Sequence, residues 1–167
     1  MIQVYTGNGK GKTTAALGLA IRSAGAGLRV YIAQFVKRGN YSEIKALAKF
    51  KNIKVGQFGR ACFIKGKPDA KDAALARRGL EKAIKVLKAK KCDLLVLDEI
   101  NIALKLKLLR LEDILALMKS APRRTELILT GRYAHPQIIK IADLVSEIKE
   151  KKHYYQKGIK ARKGIEF

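Results

Sequence analysis

A chain of 167 residues that is 48% apolar and 30% charged holds enough material for one domain around a sizeable core, and it reads as a single unit over residues 1–167. Thirty-six Lys and Arg stand against 14 Asp and Glu, a net charge of +22 that would attract phosphate backbones, anionic membranes or acidic proteins; the lysines are scattered along helical stretches such as 82–91 without interleaved aromatics, so a solvated basic surface is expected first, an acidic protein partner second and nucleic acid last. No apolar run approaches the roughly 20 residues that cross a bilayer, and the sequence opens on a strand pattern instead of a leader, so a cytoplasmic protein with no membrane partner is expected.

The first element, a strand at Gln3–Tyr5, runs into Gly7-Asn8-Gly9-Lys10-Gly11-Lys12-Thr13-Thr14 and then into the helical pattern Ala15-Ala16-Leu17-Gly18-Leu19-Ala20. Strand, glycine-rich loop and helix in that order make a phosphate cradle. Glycines let successive N–H groups converge on an anion, the helix N-terminus adds partial positive charge, and a lysine adds a full one. In the pattern G-x-x-x-x-G-K-[ST] the lysine reaches the outer phosphates and the hydroxyl meets the divalent cation, which assigns Lys12 and Thr13. The fit is off by one residue, because Thr6 occupies the first glycine position and the nearest glycine is Gly7.

Further strands are expected at Val30–Phe35, Ile53–Phe58, Leu94–Leu97, Leu127–Leu129 and Leu144–Ile148, separated by stretches of helical spacing. That alternation predicts an α/β fold, a mostly parallel sheet with helices on both faces in a phosphate-loop NTPase-like three-layer sandwich. Gly25 and Gly27 close the first helix, and Ala121-Pro122 ends one that starts at Leu111. The longest helix is expected over Asp69–Lys91, with Ala73, Leu80, Ala83, Ile84 and Leu87 as its core stripe. Gly59–Pro68 reads as a loop long enough to fold over a site, or as a plain surface loop. Cys62 and Cys92 are expected to be reduced thiols, and neither they nor His135 and His153 show metal-ligand spacing.

Two strand ends carry candidate chemistry. Leu94-Leu95-Val96-Leu97 terminates in Asp98-Glu99, and since ligands of open α/β sheets collect at the carboxyl ends of the strands, these acids should fall near Thr13 and a bound cation. Leu129-Thr130-Gly131-Arg132 repeats the geometry and offers a guanidinium to phosphate oxygens. No Cys–His or Ser–His pairing is recognisable, and no lysine stands in an apolar surround, so the nucleophile should be a water, a hydroxyl substrate or a strongly nucleophilic cofactor.

These residues together resemble the phosphate-loop ATP:corrinoid adenosyltransferases of the cobalamin pathway. The loop Gly7–Thr14 with its one-residue departure, Leu97-Asp98-Glu99 with Asn101, Leu129–Arg132, Ala142-Asp143-Leu144-Val145, and a tail of Lys152-His153, Gly158-Ile159, Ala161 and Lys163-Gly164-Ile165-Glu166-Phe167 keep the family's order along the whole chain. The resemblance implies transfer of the 5′-deoxyadenosyl group of ATP to the cobalt(I) of a corrinoid, with triphosphate leaving. It implies ATP on Gly7–Thr14, Mg²⁺ (or Mn²⁺) on Thr13 and Glu99 with Asp98, and charge stabilisation by Lys12 and Arg132. It also implies a homodimer served by a reduced flavoprotein electron donor. Where many relatives carry a Gly-Phe-Thr-Trp-like segment over the corrinoid, this chain has Phe58-Gly59-Arg60-Ala61-Cys62-Phe63-Ile64, in which Phe63 and Ile64 are the candidate corrinoid contacts, with packing under the loop as their other role. A nucleic-acid-stimulated ATPase, with Glu99 polarising water, is the rival from another class, and a small-molecule kinase is a third.

Overall fold

The computed structural model describes residues 1–60 and 67–166. Its strands are β1 (Ile2–Thr6), β2 (Val30–Phe35), β3 (Ile53–Phe58), β4 (Leu94–Asp98), β5 (Glu126–Thr130) and β6 (Leu144–Glu147), and its helices are α1 (Lys12–Gly25), α2 (Ser42–Leu47), α3 (Ala70–Lys88), α4 (Ile100–Lys105), α5 (Leu111–Ser120) and α6 (Pro136–Ile141). The six strands form one sheet in the order β3-β2-β4-β5-β1-β6, and every pairing is parallel.

Alternation along the strands divides the core in two. Val30 and Ile32 of β2, Leu94 and Val96 of β4 and Ile128 of β5 face Ala16, Leu17 and Ala20 of α1 and Leu47 of α2. Their neighbours Tyr31, Ala33, Phe35, Leu95, Leu97, Leu127 and Leu129 face the other side, where α3, α5 and α6 supply Leu80, Ala83, Ile114, Leu117 and Ile138. Helices thus cover both faces, as the sequence pattern predicts. Each fully buried aliphatic side chain of the central strands contributes about 1.5–3 kcal/mol of transfer free energy.

The long helix is shorter than its expected Asp69–Lys91. Asp69 is the N-cap, accepting from the Lys71 and Asp72 amides while the Asp72 carboxylate accepts from the Asp69 amide, and the helix stops at Lys88. Leu80, Ala83 and Leu87 are buried as expected, Ala76 and Val86 join them, and Ala73 and Ile84 pack at the margin. The sixth strand ends one residue early, at Glu147. Among the described residues no helix is long and apolar enough to cross a membrane.

One topological fact positions the site. β5 lies between β1 and β4, so the loop after β1 and the acids after β4 face each other across the end of a third strand.

Candidate active site

At the carboxyl ends of the strands opens a cleft of about 940 Å³, lined by Gly9 to Thr14, by Val36 and Lys37 after β2, by Glu99 and Arg132, and by His153 and Gly164 to Glu166 of the C-terminal segment. Lys12, Thr13, Glu99 and Arg132 therefore share one cavity, as do Gly9, Lys10, Gly11 and Thr14; Gly7 and Asn8 are not among its lining residues. Phe63 and Ile64 lie outside the described residues.

The off-by-one loop has a local cause. Thr6 completes β1, its carbonyl accepting from the Ile148 amide and its hydroxyl from the Ala134 amide, so the chain bends only at Gly7, where φ is +95°. A Cβ on Gly7 would collide with the Ile148 carbonyl, and one on Gly9 would lie 2.8 Å from the same oxygen, which instead accepts the Gly9 amide at 2.8 Å. The loop is buttressed by the chain leaving β6. Gly11, at φ +120°, then turns into α1.

Lys12 is buried, and its ammonium donates to the Gly9 carbonyl at 2.6 Å. Burial draws its pKa below the usual lysine value, with Glu99 opposing and Arg132 reinforcing the shift. Glu99 is shifted the other way: burial, then Asp98, raises its carboxyl above the ordinary range, while Lys37, Lys12 and Arg132 oppose. Glu99 holds a left-handed backbone, φ +62°, and its amide donates to the Thr130 hydroxyl at 3.0 Å. Its carboxylate makes no hydrogen bond among the described residues, which leaves it open to the cleft.

Asp98 is engaged on every side. It has no solvent exposure; Oδ1 accepts from the Thr13 hydroxyl at 2.8 Å and the Thr130 hydroxyl at 2.7 Å, and Oδ2 from the Gln34 amide at 3.3 Å and the Lys37 ammonium at 2.8 Å. Gln34 is held in turn by Gln57 at 3.0 Å. Burial pulls the Lys37 ammonium down, but Asp98 outweighs it and the net shift is upward. With its hydroxyl proton given to Asp98, Thr13 keeps lone pairs for a cation, and hard oxygens from Thr13 and Glu99 suit Mg²⁺.

Sequence reasoning missed Lys37 and assigned Thr130 no role of its own. It also missed the use of the C-terminal segment. Lys10 donates to Glu166 at 2.7 Å and to the Tyr154 hydroxyl at 2.6 Å, Tyr154 bonds Glu166, and the Arg162 guanidinium stacks 4.8 Å from the Tyr154 ring. Lys10, foremost among these partners, holds the Glu166 carboxyl well below the usual carboxylate range. The tail residues that carried the family resemblance were the available signal. Asn101 ties the Gly131 carbonyl to α4 at 3.2 Å. His135 and His153 are helix caps, their Nδ1 atoms accepting from Gln137 and Tyr155. Cys92 is buried, and burial pushes its thiol up to about 11, which makes it unreactive. Among the described residues no cluster of three or more His, Cys, Asp or Glu could hold a metal.

The sequence matches the family described as ATP:corrinoid adenosyltransferase BtuR/CobO/CobP over residues 1–167. The chain belongs to that family. Proteins named corrinoid adenosyltransferase are similar to it throughout: one from Pseudomonas aeruginosa is 35% identical over 169 residues, covering 100% of this chain and 83% of that protein, and one from Escherichia coli is 32% identical over 167 residues, covering 100% and 85%. A third, from a Sinorhizobium species, is 34% identical over 171 residues and covers 100% and 80%. Among solved structures, a KaiC-like protein from the hyperthermophilic archaeon Pyrococcus horikoshii superposes with a TM-score of 0.59 at 21% identity, covering 90% of this chain and 74% of that one, a likeness of fold alone. Membership in the corrinoid adenosyltransferase family, an enzyme family, separates this chain from the nucleic-acid-stimulated ATPase weighed against it.

Proposed function

We propose that this protein transfers the 5′-deoxyadenosyl group of ATP to the cobalt(I) of a corrinoid, giving adenosylcobalamin or a precursor. The observation that carries the reading is the whole-length family match on a chain whose phosphate loop, strand-end acid and arginine line one cleft. In the reaction the cobalt(I) electron pair attacks the 5′-carbon and forms the Co–C bond. The C5′–O bond breaks, its electrons leave on the triphosphate, and the cobalt is formally oxidised to cobalt(III). So strong a nucleophile needs no general base, which accords with a sequence in which no Cys–His or Ser–His pairing stands at recognisable spacing. What the protein supplies is alignment and stabilisation of the leaving charge.

In this reading the amides of Gly7–Thr14 cradle the triphosphate, and Lys12 leaves the Gly9 carbonyl to meet its outer oxygens. Arg132, in the same cleft, adds its guanidinium to those oxygens. Thr13 and Glu99 hold Mg²⁺ or Mn²⁺, which neutralises charge on the departing group. Asp98, saturated by four donors, serves the cation by orienting Thr13 and does not contact it. Phe63 and Ile64 are proposed from the sequence to meet the corrinoid and displace its lower axial ligand. The protein works in the cytoplasm as a homodimer, and a reduced acidic flavoprotein supplies the electron.

The test is ³¹P NMR of the products after anaerobic incubation with Mg-ATP and chemically reduced cobalamin, beside a corrinoid-free control. Corrinoid-dependent inorganic triphosphate is the expected product; ADP and phosphate formed without corrinoid would return the protein to the ATPase class.

A further inference from the structure

The turn after β2 is built with local strain. Val36 adopts φ +53°, a left-handed conformation that a β-branched side chain strongly disfavours. The strain is matched by a close approach from the next strand: a Cβ on Gly59 would collide with the Lys37 amide nitrogen and crowd the Val36 carbonyl carbon, so only glycine fits beside this turn. Its product is one placement. Lys37 is directed inward, its side chain 16% exposed, with Nζ 2.8 Å from Oδ2 of a carboxylate that has no exposure at all.

We infer that Lys37 is a positioning residue for the cation site: by occupying Oδ2 of Asp98 it fixes that carboxylate so that Oδ1 takes the Thr13 and Thr130 hydroxyls together, and Thr13 presents its lone pairs to the metal. The inference rests on the proposed metal role of Thr13 and Glu99. Of the two groups on Oδ2, Lys37 is the charged and closer one, and the Gln34 amide at 3.3 Å is a weak substitute. Without Lys37, Asp98 would be a buried charge with no cation against it, and the carboxylate would turn away from its present place. Thr13 then loses its fixed acceptor. The neighbouring glycine is part of the same device, because displacing the Val36–Lys37 backbone withdraws the ammonium as surely as removing it.

The test is manganese binding followed by EPR, with inorganic tripolyphosphate present and no corrinoid, on the parent chain, Lys37→Met, Lys37→Arg and Gly59→Ala. Removing a partner that orients a metal ligand weakens metal binding about 10- to 100-fold. Lys37→Met and Gly59→Ala should both do so, Lys37→Arg should recover most of the loss, and all four should bind metal-free tripolyphosphate alike. Parent-like manganese affinity in Lys37→Met would overturn the inference, as would an equal loss for metal-free tripolyphosphate, which would make Lys37 a direct phosphate contact. Parent protein that binds no manganese would overturn the metal role of Thr13 and Glu99, and the role of Lys37 with it. Thermal melting of Lys37→Met and of Lys37→Arg checks that each is folded; should the methionine variant be unfolded, Lys37→Gln takes its place.

Discussion

Lys12 and Glu99 line one cleft with pKa values displaced in opposite directions by the same cause, burial. Lys12→Ala removes the mobile charge without opening the core, so tripolyphosphate binding should weaken and adenosyl transfer fall about 100-fold or more while the melting temperature stays near the parent value. Undiminished transfer would take Lys12 out of the site. For Glu99 the effects on function and stability separate. Glu99→Gln should raise the Mg²⁺ concentration needed for half-maximal activity about tenfold or more, and equal Mg²⁺ curves would end its metal role. A carboxyl whose folded pKa lies above its unfolded one favours the fold most at low pH and loses that contribution as pH rises through the folded value. Glu99→Gln should therefore melt above the parent at neutral pH, with the gap closing toward about pH 4, where the unfolded carboxyl is half protonated; a gap that widens on acidification would contradict the shift.

Between the elements, the phosphate loop is clasped by the C-terminal segment: Glu166 is shared by Lys10, Tyr154 and the Arg162 amide. Glu166→Ala leaves Lys10 and Arg162 on one ring without their common carboxylate. Trypsin should then cut the segment after Lys157, Lys160, Arg162 or Lys163 several-fold faster, with the rest of the chain unaffected; unchanged cleavage would mean that Glu166 does not hold it. Contacts of this kind explain what the sequence concealed. The strands were legible because Leu94–Leu97 and Val30–Phe35 are apolar runs, and Thr13 and Glu99 because loop and strand-end patterns carry their own chemistry. The importance of Thr130 depends on β5 lying between β1 and β4, a strand order that no local pattern encodes. Lys37 depends on an unfavourable φ at Val36 and on the absence of a side chain at Gly59, and propensity read in sequence argues against the first and is silent on the second. Helix ends were misplaced at Lys91 because the lysines of 88–91 fit a helix surface and a loop equally well.

Over the whole molecule the net charge of +22 dominates at distances beyond contact. If it guides an acidic electron donor, turnover sustained by a reduced acidic flavoprotein should fall several-fold between low and physiological ionic strength, while turnover sustained by a small neutral reductant should not; parallel curves would dismiss steering. The sheet order has another consequence. β1, made before the other five strands, lies between β5 and β6, and the shape of Gly7–Gly9 is set by the backbone at Ile148. A growing chain therefore carries the phosphate-loop motif well before it can shape it, because the loop waits on Ile148. Until Ile148 has been made the motif lacks its buttress, and ATP can stabilise only copies that have passed that point.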